Sequence, residues 1–258
     1  MTLAAETRGS GRALVMVHGW GMNSSVWADF ADQLATTCRV TLIDLPGHGN
    51  SPFAGQQALE TWAADCLAVA PPSAIWLGWS LGSMVALQAA RLAPERVAGV
   101  VVLAGMPKFV QSEDWPHAMA PRTLDLFSQT LAGDHKGALE RFLALQMLGS
   151  SMAQETLRNM KRRLRERPDP HPEALQRGLD LLRSADLRDD LGRLACPTAW
   201  LYGDRDTLAP AAAAALLQQW LPGVTAAVIR GAAHTPFLSH PDETHKAVGR
   251  FLEQFDGV

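Results

Sequence analysis

The sequence predicts an α/β protein, a mostly parallel, doubly wound sheet with an inserted helical cap. Three observations predict it. Short aliphatic runs alternate with longer helical stretches along most of the chain, and such alternation builds a sheet covered by helices on both faces. The runs are apolar throughout, as strands buried on both faces are. The alternation breaks once, between residues 106 and 186, where helical patterns follow one another without a convincing strand.

In chain order, residues 13–17 form the first strong strand and lead into His18-Gly19-Trp20-Gly21. A helix is expected over 26–35 and a strand over 40–43, followed by the turn-rich Asp44-Leu45-Pro46-Gly47-His48-Gly49-Asn50-Ser51. A helix over 59–69, a strand over 74–77, a helix over 81–92 and a strand over 97–103 come next. The interruption then begins, its helices separated by Pro116, Pro121, Gly133, Gly149 and Pro168-Asp169-Pro170-His171-Pro172. Strands over 198–202 and 225–229 bracket a helix over 211–220, and a helix over 242–255 follows them. The expected organisation is one core from residues 1–105 and 187–258, with residues 106–186 as the cap. Ligands of such sheets bind beyond the carboxyl ends of the strands.

Composition excludes several classes of function. The chain has 258 residues, 47% of them hydrophobic and 19% charged, with a formal net charge of -3. A weakly acidic chain is a poor nucleic-acid binder. No apolar run approaches the roughly 18 residues of a membrane span, and residues 1–12 hold no apolar core of a secretory leader. A cytoplasmic protein with no nucleic-acid or membrane partner is expected. Cys38, Cys66 and Cys196 are scattered without metal-ligand spacing and read as small buried thiols of a reducing compartment.

The chemistry concentrates at Gly78-Trp79-Ser80-Leu81-Gly82, a G-x-S-x-G elbow between an expected strand and an expected helix. A serine hydroxyl needs a base, and the base an orienting acid. Of eight histidines, His234 follows a late strand within Gly231-Ala232-Ala233-His234 and so reaches the same sheet edge as Ser80. His18 ends the first strong strand and reads as a structural side chain holding its loop, and His48 is expected on a turn. His240 and His245 belong to a surface helix, and the other three to the cap. Two aspartates compete for the acid in Tyr202-Gly203-Asp204-Arg205-Asp206. Asp204 suits the tight turn, whereas Asp206 lies further into the loop, within better reach of a histidine. The oxyanion of an acyl-transfer intermediate needs two donors. The backbone N–H groups of Leu81, after the serine, and of Trp20, after the first strong strand, are the candidates.

These motifs together resemble the α/β-hydrolase superfamily, over most of the chain outside the cap. In that family the acid commonly stands three residues after the glycine, which points to Asp206. A narrower resemblance is to the carboxylesterases of biotin synthesis, which hydrolyse the methyl ester of pimeloyl attached to acyl carrier protein. It rests on residues 14–27, on Ala74-Ile75-Trp76-Leu77-Gly78-Trp79-Ser80-Leu81-Gly82 and on Glu140-Arg141-Phe142-Leu143-Ala144-Leu145-Gln146. It implies a substrate site made by Trp20, Ser80, Leu81, His234 and the stretch Phe142, Leu143, Ala144, Leu145 and Gln146. It also implies a monomer without metal or cofactor, with small esters as surrogate substrates.

One cap segment stands out by charge. Residues 155–167 hold Arg158, Lys161, Arg162, Arg163, Arg165 and Arg167 against Glu155 and Glu166. Leu157, Met160 and Leu164 fall at helical spacing and are expected to dock inward. Arg158, Arg162 and Arg165 then share another face, where, with Arg141, they would meet an acidic carrier protein. The core motifs leave open a short-chain carboxylesterase, a lactonase or a carbon–carbon hydrolase. A ligand-binding protein without catalysis is a different class, and a pure binder has no need for an activated serine.

Overall fold

A computed structural model describes residues 2–150, 152–222 and 224–255. Met1, Gly223 and residues 256–258, of the expected core, and Ser151, within the expected cap, lie outside the described residues. The first half of the chain builds β1 (Ala5–Arg8), β2 (Arg12–Val17), α1 (Ala28–Leu34), β3 (Cys38–Ile43), α2 (Leu59–Val69), β4 (Ala74–Trp79), α3 (Leu81–Leu92) and β5 (Val97–Leu103). Five helices follow without a strand: α4 (Pro121–Gly133), α5 (His135–Gln146), α6 (Ala153–Leu164), α7 (Pro172–Ser184) and α8 (Arg188–Leu191). The sheet resumes with β6 (Thr198–Gly203), α9 (Ala213–Leu217), β7 (Thr225–Ile229), α10 (Pro236–Ser239) and α11 (Pro241–Leu252).

The seven strands lie in the order β1-β3-β2-β4-β5-β6-β7. Only β1 runs antiparallel, against β3; the other neighbours are parallel. Strand order reverses between β2 and β4, where Val17 faces Gly78, so the loops after these strands flank the crevice in which such sheets hold ligands. The central strands are aliphatic because both their faces are covered. β4 is buried along its whole length, and α3 is buried from Leu81 to Ala90. Seven of the eight tryptophans are fully buried, and Trp27, Trp79 and Phe237 pack together, with ring centroids 4.5–6.2 Å apart.

Local signals set the helix starts. Proline opens α4, α7, α10 and α11, where its missing N–H costs nothing and its φ suits the helix. The Asp134 carboxylate accepts the Gly137 N–H at 2.8 Å and caps α5.

Several expectations need correction. β1 is an additional strand, polar and mostly exposed, so no apolar run announces it. β7 is exposed or half-buried at all but Ile229, because it is the open edge of the sheet. The helix expected over 211–220 narrows to α9, and the one over 26–35 divides into a 3-10 turn (Ser24–Val26) and α1. Cys196 is only half-buried. In α6 the buried residues are Thr156, Met160 and Arg163, with Leu157 and Leu164 half-buried. Arg163 is buried instead, and its Nη2 reaches the exposed Asp29 carboxylate of α1 at 2.5 Å.

Candidate active site

Ser80 stands between the end of β4 and the start of α3 with φ 56° and ψ -121°, a sparsely populated conformation for a side-chain-bearing residue. The turn is tight enough that a Cβ at Gly82 would strike the carbonyl oxygens of Val17 and His18, and one at Gly78 would strike the Gly82 carbonyl. Glycine at both positions follows from that crowding. The strain is held by hydrogen bonds: Ser80 N–H donates to Leu103 O at 3.0 Å, and Ser83 N–H and Oγ both donate to Ser80 O.

The loop after β7 brings His234 to this turn. Its Nε2 lies 2.9 Å from Ser80 Oγ, and its Nδ1 lies 2.7 Å from Asp206 Oδ2. Asp206, in the loop after β6, uses its other oxygen to accept the N–H groups of Leu208 and Ala209 at 2.8 and 2.9 Å. Asp204 does something else. It is exposed and accepts the Gly231 N–H at 2.7 Å, fastening two loops. Ser80, Asp206 and His234 are 3%, 5% and 1% exposed, so their hydrogen bonds act in a low local dielectric. The His234 backbone is itself held: Trp79 Nε1 donates to His234 O at 2.8 Å, and His234 N–H donates to Gln146 O at 3.1 Å.

The loop after β2 lies against the serine, with a side chain at Gly19 placed 3.2 Å from Ser80 Cβ. Among the described residues, hydrogen bonds take the N–H of Gly21 (by His48 Nε2) and of Met22 (by Gly19 O), and none takes that of Trp20. Leu81 opens α3, so its N–H has no acceptor within the helix. An oxyanion formed on a Ser80 adduct would thus find two candidate donors.

A serine, a histidine and an aspartate from three strand ends, hydrogen-bonded in series beside two unpaired N–H groups, can carry acyl transfer. The alpha/beta hydrolase fold model matches residues 12–241. This chain belongs to that family. The hydrolase is 42% identical to a pimeloyl-acyl-carrier-protein methyl ester esterase of Aeromonas hydrophila, over 98% of this chain and all of the relative. It is 45% identical to an esterase of the same name from Pectobacterium carotovorum, over 98% and 99% of the two chains. An esterase structure from Exiguobacterium antarcticum superposes with a TM-score of 0.85 at 20% identity, covering 97% of this chain and 95% of that one.

The inserted helices of the hydrolase cover the loop after β2. Trp20 Nε1 donates to Leu175 O of α7 at 2.7 Å, and its ring meets Phe142 of α5 edge-on at 4.8 Å. Phe142, Leu143 and Gln146 are buried, Leu145 is half-buried, and Ala144 and Arg141 are exposed. A cleft of about 230 Å³ opens on Gly21, lined by Leu139, Leu143 and Leu164 and also by Lys136, Glu140, Lys161, Arg165 and Asp169; Ser80 and His234 do not line it. The six basic residues of 155–167 divide in two. Arg163 pairs with Asp29, Lys161 with Glu140, and Arg167 with Asp44 and Glu6. Arg158, Arg162 and Arg165 are exposed, without an ion-pair partner among the described residues.

Motif reading passed over three positions that hold the site. His48 is fully buried, and its Nδ1–H donates to Pro46 O while its Nε2 accepts from Gly21. Burial first, then the neighbouring His18, pushes it down to about 3, so it stays neutral and can keep that acceptor. Asp44 accepts the Ser24 N–H, and Leu175 offers only a backbone oxygen. Asp44 and His48 lie in a quoted motif, but Leu175 leaves no sequence signal. His18 is as expected: its Nε2 accepts the Leu45 N–H at 3.0 Å.

Proposed function

We propose that this hydrolase cleaves the methyl ester of pimeloyl carried on acyl carrier protein, giving methanol and the free terminal carboxylate in biotin synthesis. The observation that carries this reading is the likeness, at 42–45% identity over nearly the whole length, to esterases named for that substrate. The hydrogen-bonded series from Asp206 to Ser80 supports the chemistry.

His234 Nε2 takes the Ser80 proton as Oγ attacks the ester carbonyl, and Asp206 steadies the imidazolium through Nδ1–H. The negative oxygen settles on the N–H groups of Leu81 and Trp20. As the intermediate collapses, the ester C–O bond breaks and His234 passes its proton to departing methoxide. Water enters, gives a proton to His234, attacks the acyl-enzyme and releases carboxylate with Ser80 reprotonated. The helices over 106–186 act as the cap. The cleft that opens on Gly21, where Leu139, Leu143 and Leu164 stand beside Lys136, Glu140, Lys161 and Arg165, receives the chain and arm, and Arg158, Arg162 and Arg165 face the acidic carrier.

Mass spectrometry of methyl-pimeloyl carrier protein incubated with the pure protein tests the reading. Loss of one methylene mass is expected, and Ser80→Ala should suppress it by roughly 10⁴-fold or more. An unchanged mass with wild-type protein refutes the substrate. Equal turnover by the folded variant refutes the nucleophile.

A further inference from the structure

The chemistry at Ser80 uses neither the connector between α6 and α7, residues 165–171, nor the loop after β3, residues 44–51. The two are tied together at both ends. Arg167 donates to Asp44 Oδ2 at 3.2 Å, and His171 N–H donates to Gly47 O at 2.7 Å. Asp44 is 1% exposed and is a junction. Its Oδ1 accepts the Ser24 N–H at 2.6 Å, and its Oδ2 also accepts the Asn50 N–H at 2.9 Å. From the same loop, His48 Nε2 accepts the Gly21 N–H at 3.3 Å. Both branches therefore end on residues 21–24, directly after Trp20.

A buried carboxylate without a countercharge is costly, and its surroundings rearrange to solvate it. Arg167 is that countercharge, and it comes from the cap. Its other donor group reaches Glu6 at 3.1 Å. His18 lies in the same field: burial foremost lowers it, Asp44 raises it and Arg167 lowers it again.

We propose that Arg167 is a positioning residue for ester cleavage: through Asp44 and the loop after β3, it holds the Trp20 N–H where the oxyanion forms. The basic cap segment that faces the carrier is then mechanically continuous with the stabiliser of the transition state. This rests on the reading of Trp20 as an oxyanion donor.

Such a relay differs from simple anchoring of the cap. The end of α6 is anchored to α1 by Arg163 and Asp29, and to the same loop by Asn23 Nδ2 on Leu164 O at 3.3 Å and Ser25 Oγ on Arg163 O at 2.8 Å, none of them through Asp44, so Asp29→Asn, which loosens that end and leaves Asp44 paired, is the comparison. The experiment measures kcat and KM on a short-chain nitrophenyl ester for the wild type, R167Q, R167K and D29N. Amide hydrogen exchange of peptides covering residues 19–26 is followed in the same proteins. A displaced donor raises the barrier without loosening ground-state binding. R167Q should accordingly lose about tenfold in kcat, with KM within about twofold. R167K keeps the charge but not the fork, and should lose about threefold. D29N should match wild type. Exchange over 19–26 should quicken in R167Q and R167K only.

Wild-type kcat and exchange in R167Q overturn the relay, and so does an equal loss in D29N. If R167Q does not fold, R167K decides by the same two readouts. If the wild type cleaves no ester, the esterase reading fails, and exchange alone then judges the link from Arg167 to residues 19–26.

Discussion

Asp206 shows how a single side chain is committed by its surroundings. One oxygen is saturated by the Leu208 and Ala209 N–H groups, which leaves the other aimed at His234 Nδ1. That arrangement holds Nδ1–H on the carboxylate side and leaves Nε2 free to take the serine proton. An amide at this position can present its NH₂ group to Nδ1 and favour the opposite tautomer. Asp206→Asn should lower kcat by roughly 10⁴-fold while barely changing the melting temperature. Asp204→Asn, on the Gly231 N–H, should cost less than about tenfold. Steady-state kinetics with a nitrophenyl ester separates them, and the reverse ranking would move the acid to Asp204. That Asp206 rather than Asp204 would meet His234 was legible from its place further into the loop together with the hydrolase pattern, in which the acid commonly stands three residues after the glycine. The service of Asp44 to Ser24 and of Leu175 to Trp20 was not, because each joins residues brought together only by the packed fold.

At the scale of elements, the buried strands were the most legible part. β5 spans the expected residues because an aliphatic run covered on both faces has no other stable place. The edges were not legible. β1 is polar and β7 is largely exposed, so neither carries the hydrophobic pattern that marks a strand buried on two faces. α6 was legible as a helix, but its inward line was not, because Arg163 is buried through its stem while its head reaches the exposed Asp29, a contact that aliphatic spacing does not announce. The same division clarifies its charge. Arg163 and Arg167 hold the fold together, whereas Arg158, Arg162 and Arg165 remain exposed. Exposed like charges act on a charged partner at long range and weaken as salt screens them. Reversing Arg158 and Arg162 to Glu should lower the ratio of carrier-substrate to small-ester kcat/KM about tenfold at low salt, with the gap narrowing as salt rises. A ratio that stays at the wild-type value would place the carrier elsewhere.

Two of the buried histidines, His18 and His48, make the stability of the whole molecule depend on pH. His18 and His48 are fully buried, with ring centroids 5.4 Å apart. Each accepts a backbone N–H through Nε2, from Leu45 and Gly21 respectively, and a proton there would break that bond. Burial is the main cause that lowers both, His48 to about 3. In the unfolded chain each returns to about 6.5. Above that pH neither state binds a proton at these rings, and their neutral forms cost nothing. Below it the unfolded chain takes up protons that the folded core refuses, so stability is full above about 6.5 and declines as pH falls, for His48 until about 3. His48 contributes a slope of up to about 1.4 kcal/mol per pH unit across that window, and His18, lowered too, adds to it in the same direction. Urea unfolding at a series of pH values between 7.5 and 4.5 measures it. The comparison is His48→Gln, which can offer an oxygen to the Gly21 N–H without titrating. Wild type should lose stability more steeply than the variant below about 6.5, and the two should run parallel above it. Parallel curves over the whole range would mean that His48 accepts a proton in the folded state as readily as in the unfolded one, and that the Gly21 contact does not depend on its neutrality.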